Sequence, residues 1–124
     1  MTDTEQRPLK GVRVLDLATG PMAAISRHYA ELGADVVRIE PEGGADDRRA
    51  GPCVDGVSLD FVAANLGKRA ATRERLDVLL PGADIVIAPR GDIDVDAARS
   101  ANPALVVLSV SDFGDTGRFA DWTG

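Results

Sequence analysis

The 124-residue sequence has one cysteine, one histidine and few aromatic residues: three Phe, one Trp and one Tyr. A lone cysteine cannot close an internal disulfide, and neither a CxxC pair nor Cys/His metal-ligand spacing is present. With aromatics at 4%, the chain lacks the rings on which single-stranded bases stack. Basic residues are outnumbered, 14 against 20 acidic, and the formal charge of −6 repels nucleic acid and anionic lipid. No apolar run approaches membrane-spanning length, and the opening "MTDTEQRP" has no apolar signal core. These absences predict a soluble, cytoplasmic chain without nucleic acid, membrane or metal as partner.

The length suits a single domain able to bury its own core. Residues 1–7 are expected to form a flexible tail and residues 8–124 the folded domain. "RVLDLA" (Arg13–Ala18) alternates and then runs apolar, as a buried parallel strand does. Gly20-Pro21 breaks it, with proline suited to a first helical turn and Thr19 to a cap. Met22, Ile25, Tyr29 and Leu32 then recur at helical spacing until Gly33, predicting a helix over 22–32. "ADVVRIE" is a second strand, stopped by Pro41. Residues 41–57 form a long polar loop, of the kind that tends to be functional or mobile. "SLDFVAANLG" predicts a helix capped by Ser58, "KRAAT" a short extended piece, and "RERLDVLL" a helix ended by Pro81-Gly82. "ADIVIA" is a strand, "DVDAARSAN" a helix and "ALVVLSVS" a final strand.

Strands alternating with helices predict right-handed crossovers and an α/β fold: a Rossmann-like open parallel sheet with helices on both faces. Ligands of such sheets bind beyond the carboxyl ends of the strands, here near Ala18-Thr19-Gly20, Glu40-Pro41, Ala88-Pro89-Arg90 and Ser111-Asp112.

The turn "ATGPMAA" is not GxGxxG, and Pro21 removes an amide that a pyrophosphate would use. A dinucleotide reading would make Glu40 the ribose-binding acid; the bland reading leaves it a solvated strand-end carboxylate. Lys68-Arg69 and Arg90 are the cations best placed for an anionic ligand, ahead of Arg48-Arg49 and Arg73/Arg75. Cys53 is expected to be a passive loop thiol, since no base is near. His28 is expected to be a partly buried helix histidine. Nothing in the sequence converges on Asp46-Asp47, and no catalytic Ser/His/Asp order or P-loop is present.

"PLKGVRVLDLATGPMAAISRHYAELGADVVRIEPEGGADDRR" resembles the opening of family III CoA-transferases, which share a "PL-G-RVLDL" start, a Gly-Pro helix start and an "LGADV-K/R-V/I-E" strand. "NLGKRAAT" is similar to that family's "N-x-N-K-R", "GADIVIAPRG" to its "EN-x-RPG" region, and "NPALVVLSVSDFGDTGRFADWTG" to its "S-GFG-x-TG" segment. The ordered series, from Pro8 onward, is far more specific than any one motif. The resemblance implies a domain that holds coenzyme A, with CoA or an acyl-CoA as ligand. By position, Arg38, Lys68, Arg69, Ala88, Pro89 and Arg90 would be the CoA-binding residues. Gly20, Pro21 and Met22 would lie beside the pantetheine and acyl end. It also implies a homodimer, or packing against the remainder of a longer chain.

There are departures. "EN-x-RPG" has become "APRG", the basic segment after it is replaced by the acidic "DIDVD", and Asp112 stands where the family has glycine. The resemblance places the family's nucleophilic aspartate beyond Gly124, so the chain is expected to hold no catalytic residue and to be inactive alone. Three readings stay open: the N-terminal CoA-binding part of a CoA-transferase, the corresponding part of an acyl-CoA racemase, or a non-catalytic interaction module that has lost CoA.

Overall fold

The computed structural model describes residues 7–124, so the expected tail lies, apart from Arg7, outside the described residues. In chain order the elements are β1 (Arg13–Asp16), α1 (Ala24–Glu31), β2 (Asp35–Glu40), β3 (Cys53–Val54), β4 (Val57–Ser58) and α2 (Leu59–Asn65). They continue with β5 (Arg69–Thr72), α3 (Leu76–Leu79), β6 (Ile85–Pro89), α4 (Val95–Ala101) and β7 (Val106–Val110).

Five strands form one sheet in the order β5-β2-β1-β6-β7, with every neighbouring pair parallel. The strands are apolar on both sides because helices cover both sides. Val14, Val36 and Ile87 pack under Ile25, Tyr29 and Ala30 of α1. Leu15, Val37 and Val86 face Leu76, Leu80 and Ala98 from the α3–α4 side. The α/β expectation is therefore met. From β1 the chain moves outward through β2 to β5, then crosses back to β6 and β7. Strand order reverses between β1 and β6, and a crevice opens beyond their carboxyl ends.

Several local expectations change. The helix expected over 22–32 begins as a 3-10 turn, Gly20–Ala23, and becomes α-helical only at Ala24. Gly20 adopts φ 59°, a left-handed conformation that suits a residue without a Cβ. Thr19 is extended and its side chain does not cap. Ser58 does cap α2, its Oγ accepting from the Phe61 amide at 3.1 Å. The 41–57 segment is not featureless, since it holds a 3-10 turn (Asp46–Arg49) and the antiparallel β3–β4 hairpin. "KRAAT" becomes β5, an edge strand of the main sheet. The helix expected after it is split, with four-residue α3 between two 3-10 turns, the second entered at Leu80-Pro81. No helix among the described residues is long and apolar enough to cross a membrane.

Candidate functional site

A cleft of about 450 Å³ opens where the carboxyl ends of β1, β2 and β6 converge. Leu17 and Ile39 supply apolar surface, Pro41 and Pro89 rigid walls, and Thr19 a hydroxyl. The Arg73–Asp92 pair completes the lining: Arg73 Nη1 donates to Asp92 Oδ2 at 2.9 Å and Nη2 to the Asp92 carbonyl at 2.5 Å. An apolar slot with a few convergent polar groups is the usual character of a small-molecule site.

A second cleft, of about 430 Å³, lies between α1, α2 and the 45–50 turn, with Gly20, Pro21, Ala24 and Phe61 among its lining residues. Thr19 lines the first cleft and Gly20-Pro21 the second, so one short turn is the ridge between them.

Beneath that ridge runs a buried polar network. Asp16, the last residue of β1, is fully buried; its Oδ1 accepts from the Ala18 amide at 2.9 Å and its Oδ2 from Ser26 Oγ at 2.5 Å. Lys68 Nζ donates to Asp16 Oδ2 at 2.9 Å, to the Ala23 carbonyl at 2.5 Å and to Asn65 Oδ1 at 3.0 Å, using all three ammonium protons. Asn65 Oδ1 also accepts from Arg38 Nη1 at 2.8 Å. The same guanidinium donates to Glu40 Oε1 at 2.9 Å and to Asp47 Oδ1 at 2.6 Å, and lies over the Phe61 ring. Asp47 Oδ2 accepts from the Gly20 amide at 2.8 Å, closing the circuit onto the ridge. Arg48 joins from outside, Nη2 donating to Glu40 Oε2 at 2.7 Å.

Burial pushes the Glu40 carboxyl upward, but hydrogen bonds from Arg48 and the charge of Arg38 outweigh it and hold Glu40 below the usual carboxylate range. Asp47 is likewise raised by burial and lowered further by Arg38 and the Gly20 amide, ending low. Lys68 moves the other way. Burial lowers it, and Asp16 only partly offsets that.

The expected basic cluster does not assemble. Lys68 points inward and is sealed, with a side chain 1% exposed. Arg69, next in the chain, is exposed and chelates Asp35 at the amino-terminal end of β2, with Nη2 to Oδ2 at 2.6 Å. That follows from β5 lying parallel to β2, which sets its first residue opposite Val37, far from the carboxyl edge. Arg90 is bound by the Ala120 carbonyl and by Asp121 Oδ1 in the C-terminal segment. The three cations therefore share no cleft. Arg38 is 1% exposed and committed to side chains of this chain. Ala88 is buried in the core, whereas Pro89 does line the carboxyl-edge cleft. Gly20 and Pro21 line the second cleft, and Met22 packs toward the core under α1.

Other expectations are corrected too. Glu40 is a buried ion-pair partner of Arg38 rather than a solvated strand end. Asp47 does have partners converging on it. His28 is not partly buried: its side chain is 76% exposed beside Glu31. Cys53 is a free, exposed thiol, but it opens the short strand β3 and does not lie in a loop. Asp92 and Asp94 both have local partners, Asp92 holding Arg73 and Asp94 accepting from the Ala97 amide at the start of α4.

Sequence reasoning did not single out Asp16, Asn65 or Phe61, and it placed Arg73, which lines the carboxyl-edge cleft, behind Lys68, Arg69 and Arg90. One signal was available: Arg38 and Glu40 are opposite charges two residues apart, following Val36-Val37 and flanking Ile39, which puts both on one face of a buried strand.

The pattern that defines CoA-transferase family III matches residues 9–124. The chain is 36% identical to the succinate–glutarate CoA-transferase of Agrobacterium fabrum, over all of this chain and 38% of that protein. It is 34% identical to the formyl-CoA:oxalate CoA-transferase of Streptomyces avermitilis, over 94% of this chain and 32% of that one. The crystal structure of a CAIB/BAIF family protein from Brucella suis superposes with a TM-score of 0.85 at 31% identity, covering 96% of this chain and 37% of that one. The chain thus spans well under half the length of these relatives. Over that span, sequence and fold agree, and the protein belongs to CoA-transferase family III.

Proposed function

We propose that this chain is the CoA-holding part of a protein that moves coenzyme A between carboxylic acids, and that it does not turn over substrate by itself. The observation that carries the reading is the pair of clefts meeting at the Thr19–Gly20 ridge, at the switch point of the sheet. The residues fit the ligand. The slot of Leu17, Ile39, Pro41 and Pro89 suits a nucleoside, and Arg73 is the cation at its edge. A guanidinium has five N–H donors, so Arg73 can hold a phosphate oxygen while keeping a bond to Asp92. The pantetheine arm would then cross the ridge and bring the thioester toward Pro21 and Phe61. Coenzyme A supplies the thiol that carries the acyl group.

The chain's own residues bind and orient. Asp47, a carboxylate at the second cleft, is held by Arg38 and the Gly20 amide, which disfavours it as a nucleophile. This supports the reading in which the acyl-accepting aspartate belongs to polypeptide beyond these residues. In this reading the chain works as a homodimer or packed against the rest of a longer chain.

Titration calorimetry with CoA and acetyl-CoA tests the proposal. Salt-sensitive binding weakened by Arg73→Ala, with no acyl exchange by the 124-residue chain, is the expected result. A second reading, an interaction module that has lost CoA, is favoured by one observation: Arg38, Lys68 and Arg69 are all engaged internally. No heat at millimolar CoA would overturn the first reading in favour of the second.

A further inference from the structure

Two of the basic residues expected to touch ligand, Arg38 and Lys68, lie instead in the network beneath the ridge. We infer that Arg38, Lys68 and Asp47 are positioning residues that set the Thr19–Ala23 turn, and through it recognition of the acyl-pantetheine end of the ligand. This deepens the acyl-CoA reading above and rests on it.

The end of the turn is seated by the buried Ala23, by Met22 against the core and by Ser26 Oγ, which donates to the Ala23 carbonyl at 3.3 Å; its start has less to hold it. Gly20 is left-handed, and a Cβ built there would meet nothing within 4 Å. Pro21 has no amide to donate. Two contacts from the charged network add to these. Asp47 Oδ2 takes the Gly20 amide at the start of the turn, and Lys68 Nζ takes the Ala23 carbonyl at its end. Both anchors trace back to Asn65 Oδ1, which accepts from Arg38 and from Lys68. The anchors come from separate segments, Asp47 from the 3-10 turn after β2 and Lys68 from the residue just before β5. The four ionised groups, Asp16, Lys68, Arg38 and Asp47, balance in charge, and with Glu40 and Arg48 they still do.

Such an arrangement fixes the height and tilt of the ridge, with Arg38 and Lys68 sealed beneath it and Asp47, neutralised by Arg38, at the wall of the second cleft. Its loss should be felt in the second cleft, where Gly20 and Pro21 form wall. The first cleft, built from Leu17, Ile39, Pro41 and Pro89, should be much less affected.

Asp47→Asn is the discriminating variant. The carboxylate accepts two donors, whereas an amide offers one oxygen and one NH₂, so either Gly20 N–H or Arg38 would face a donor. Asp46→Asn removes the same charge one residue away, from an exposed side chain outside the network. Calorimetry with acetyl-CoA and with adenosine 3′,5′-bisphosphate, which lacks the pantetheine arm, reads both clefts. Exchange of the Gly20 amide, followed by NMR, reads the turn without ligand. We expect Asp47→Asn to weaken acetyl-CoA by about tenfold, the scale of one lost hydrogen bond to a charged group. The bisphosphate should change less than about twofold, Gly20 exchange should quicken, and Asp46→Asn should do none of these. Equal losses for both probes, or unchanged acetyl-CoA affinity, would overturn the inference. If the unmutated chain binds neither probe, the acyl-CoA reading itself fails, and faster Gly20 exchange would still show that Asp47 holds the turn.

Discussion

Lys68 Nζ lies 2.9 Å from Asp16 Oδ2, and both side chains are sealed from solvent, at 1% and 0% exposure. Removing one member of such a pair leaves an uncompensated buried charge, which costs far more than the pair itself contributes. Lys68→Ala should therefore destabilise the chain by about 3–5 kcal/mol. Arg69→Ala, one residue on, breaks only an exposed bridge to Asp35 and should cost less than about 1 kcal/mol. Urea midpoints at unchanged slope measure both. A similar loss for the two would contradict the buried network.

The acid side of the stability profile follows from Glu40 and Asp47. Both are held below the usual carboxylate range in the folded chain, so the unfolded chain binds protons first as pH falls. Their contribution is complete above the ordinary carboxylate range and is lost as pH drops through their folded values. Asp35, lowered by Arg69 and Arg13 against its burial, adds to the same limb. Glu40→Gln should flatten this acid limb and lower stability at neutral pH. Thermal melts across the acid range would show a parallel, undiminished slope if the pairing were absent.

Lys68 predicts a second, opposite feature. Its folded value lies below that of a free lysine, because burial outweighs Asp16. Between the two values the unfolded state holds the extra proton, so this group's contribution to stability rises with pH there. Lys68→Met in an Asp16→Asn background should remove that alkaline dependence. Chemical denaturation at a series of alkaline pH values tests it.

Arg73, rather than Arg69, should govern CoA affinity. Arg73 edges the carboxyl-edge cleft and Arg69 sits at the opposite end of the sheet. Arg73→Ala should weaken CoA by tenfold or more, about what one charged hydrogen bond is worth, and should reduce the salt dependence. Arg69→Ala should leave CoA binding within about twofold. The reverse order in calorimetry would move the phosphate site away from the switch point.

The outer edge of the sheet carries its own prediction. Strand β7 leaves Val106 57% and Leu108 37% exposed, and Phe119 and Trp122 stand near one another in the segment after it, ring centroids 4.7 Å apart. An uncharged apolar edge invites pairing. Sedimentation should show association that rises with concentration and is lowered by Val106→Lys. Monodisperse monomers at high concentration would contradict this.

Much of the fold was legible because β6 and β7 are near-continuous apolar runs, β1 and β2 carry apolar stretches at Val14-Leu15 and Val36-Val37, and Gly or Pro marks most turns. The ordered motifs gave the family. The site was less legible. Arg38 meets Asn65 across 27 residues of sequence and Lys68 meets Asp16 across 52, so their burial depends on strand order and on which way each side chain turns. Motif position put Lys68, Arg69 and Arg90 together, but Lys68, just before β5, turns inward to Asp16 while Arg69, that strand's first residue, turns out to Asp35. Asp47 looked unpartnered because its partners, Arg38 and the Gly20 amide, come from two other segments.

Because Thr19 and Gly20 divide the two clefts, a change in the buried network that tilts this partition would, under the acyl-CoA reading, reshape the Gly20-Pro21 side. The slot of Leu17, Ile39, Pro41 and Pro89 would keep its form, so the acid and the nucleotide could be tuned apart. Residues that look remote from either pocket, such as Asn65, would then decide which acids the protein tolerates.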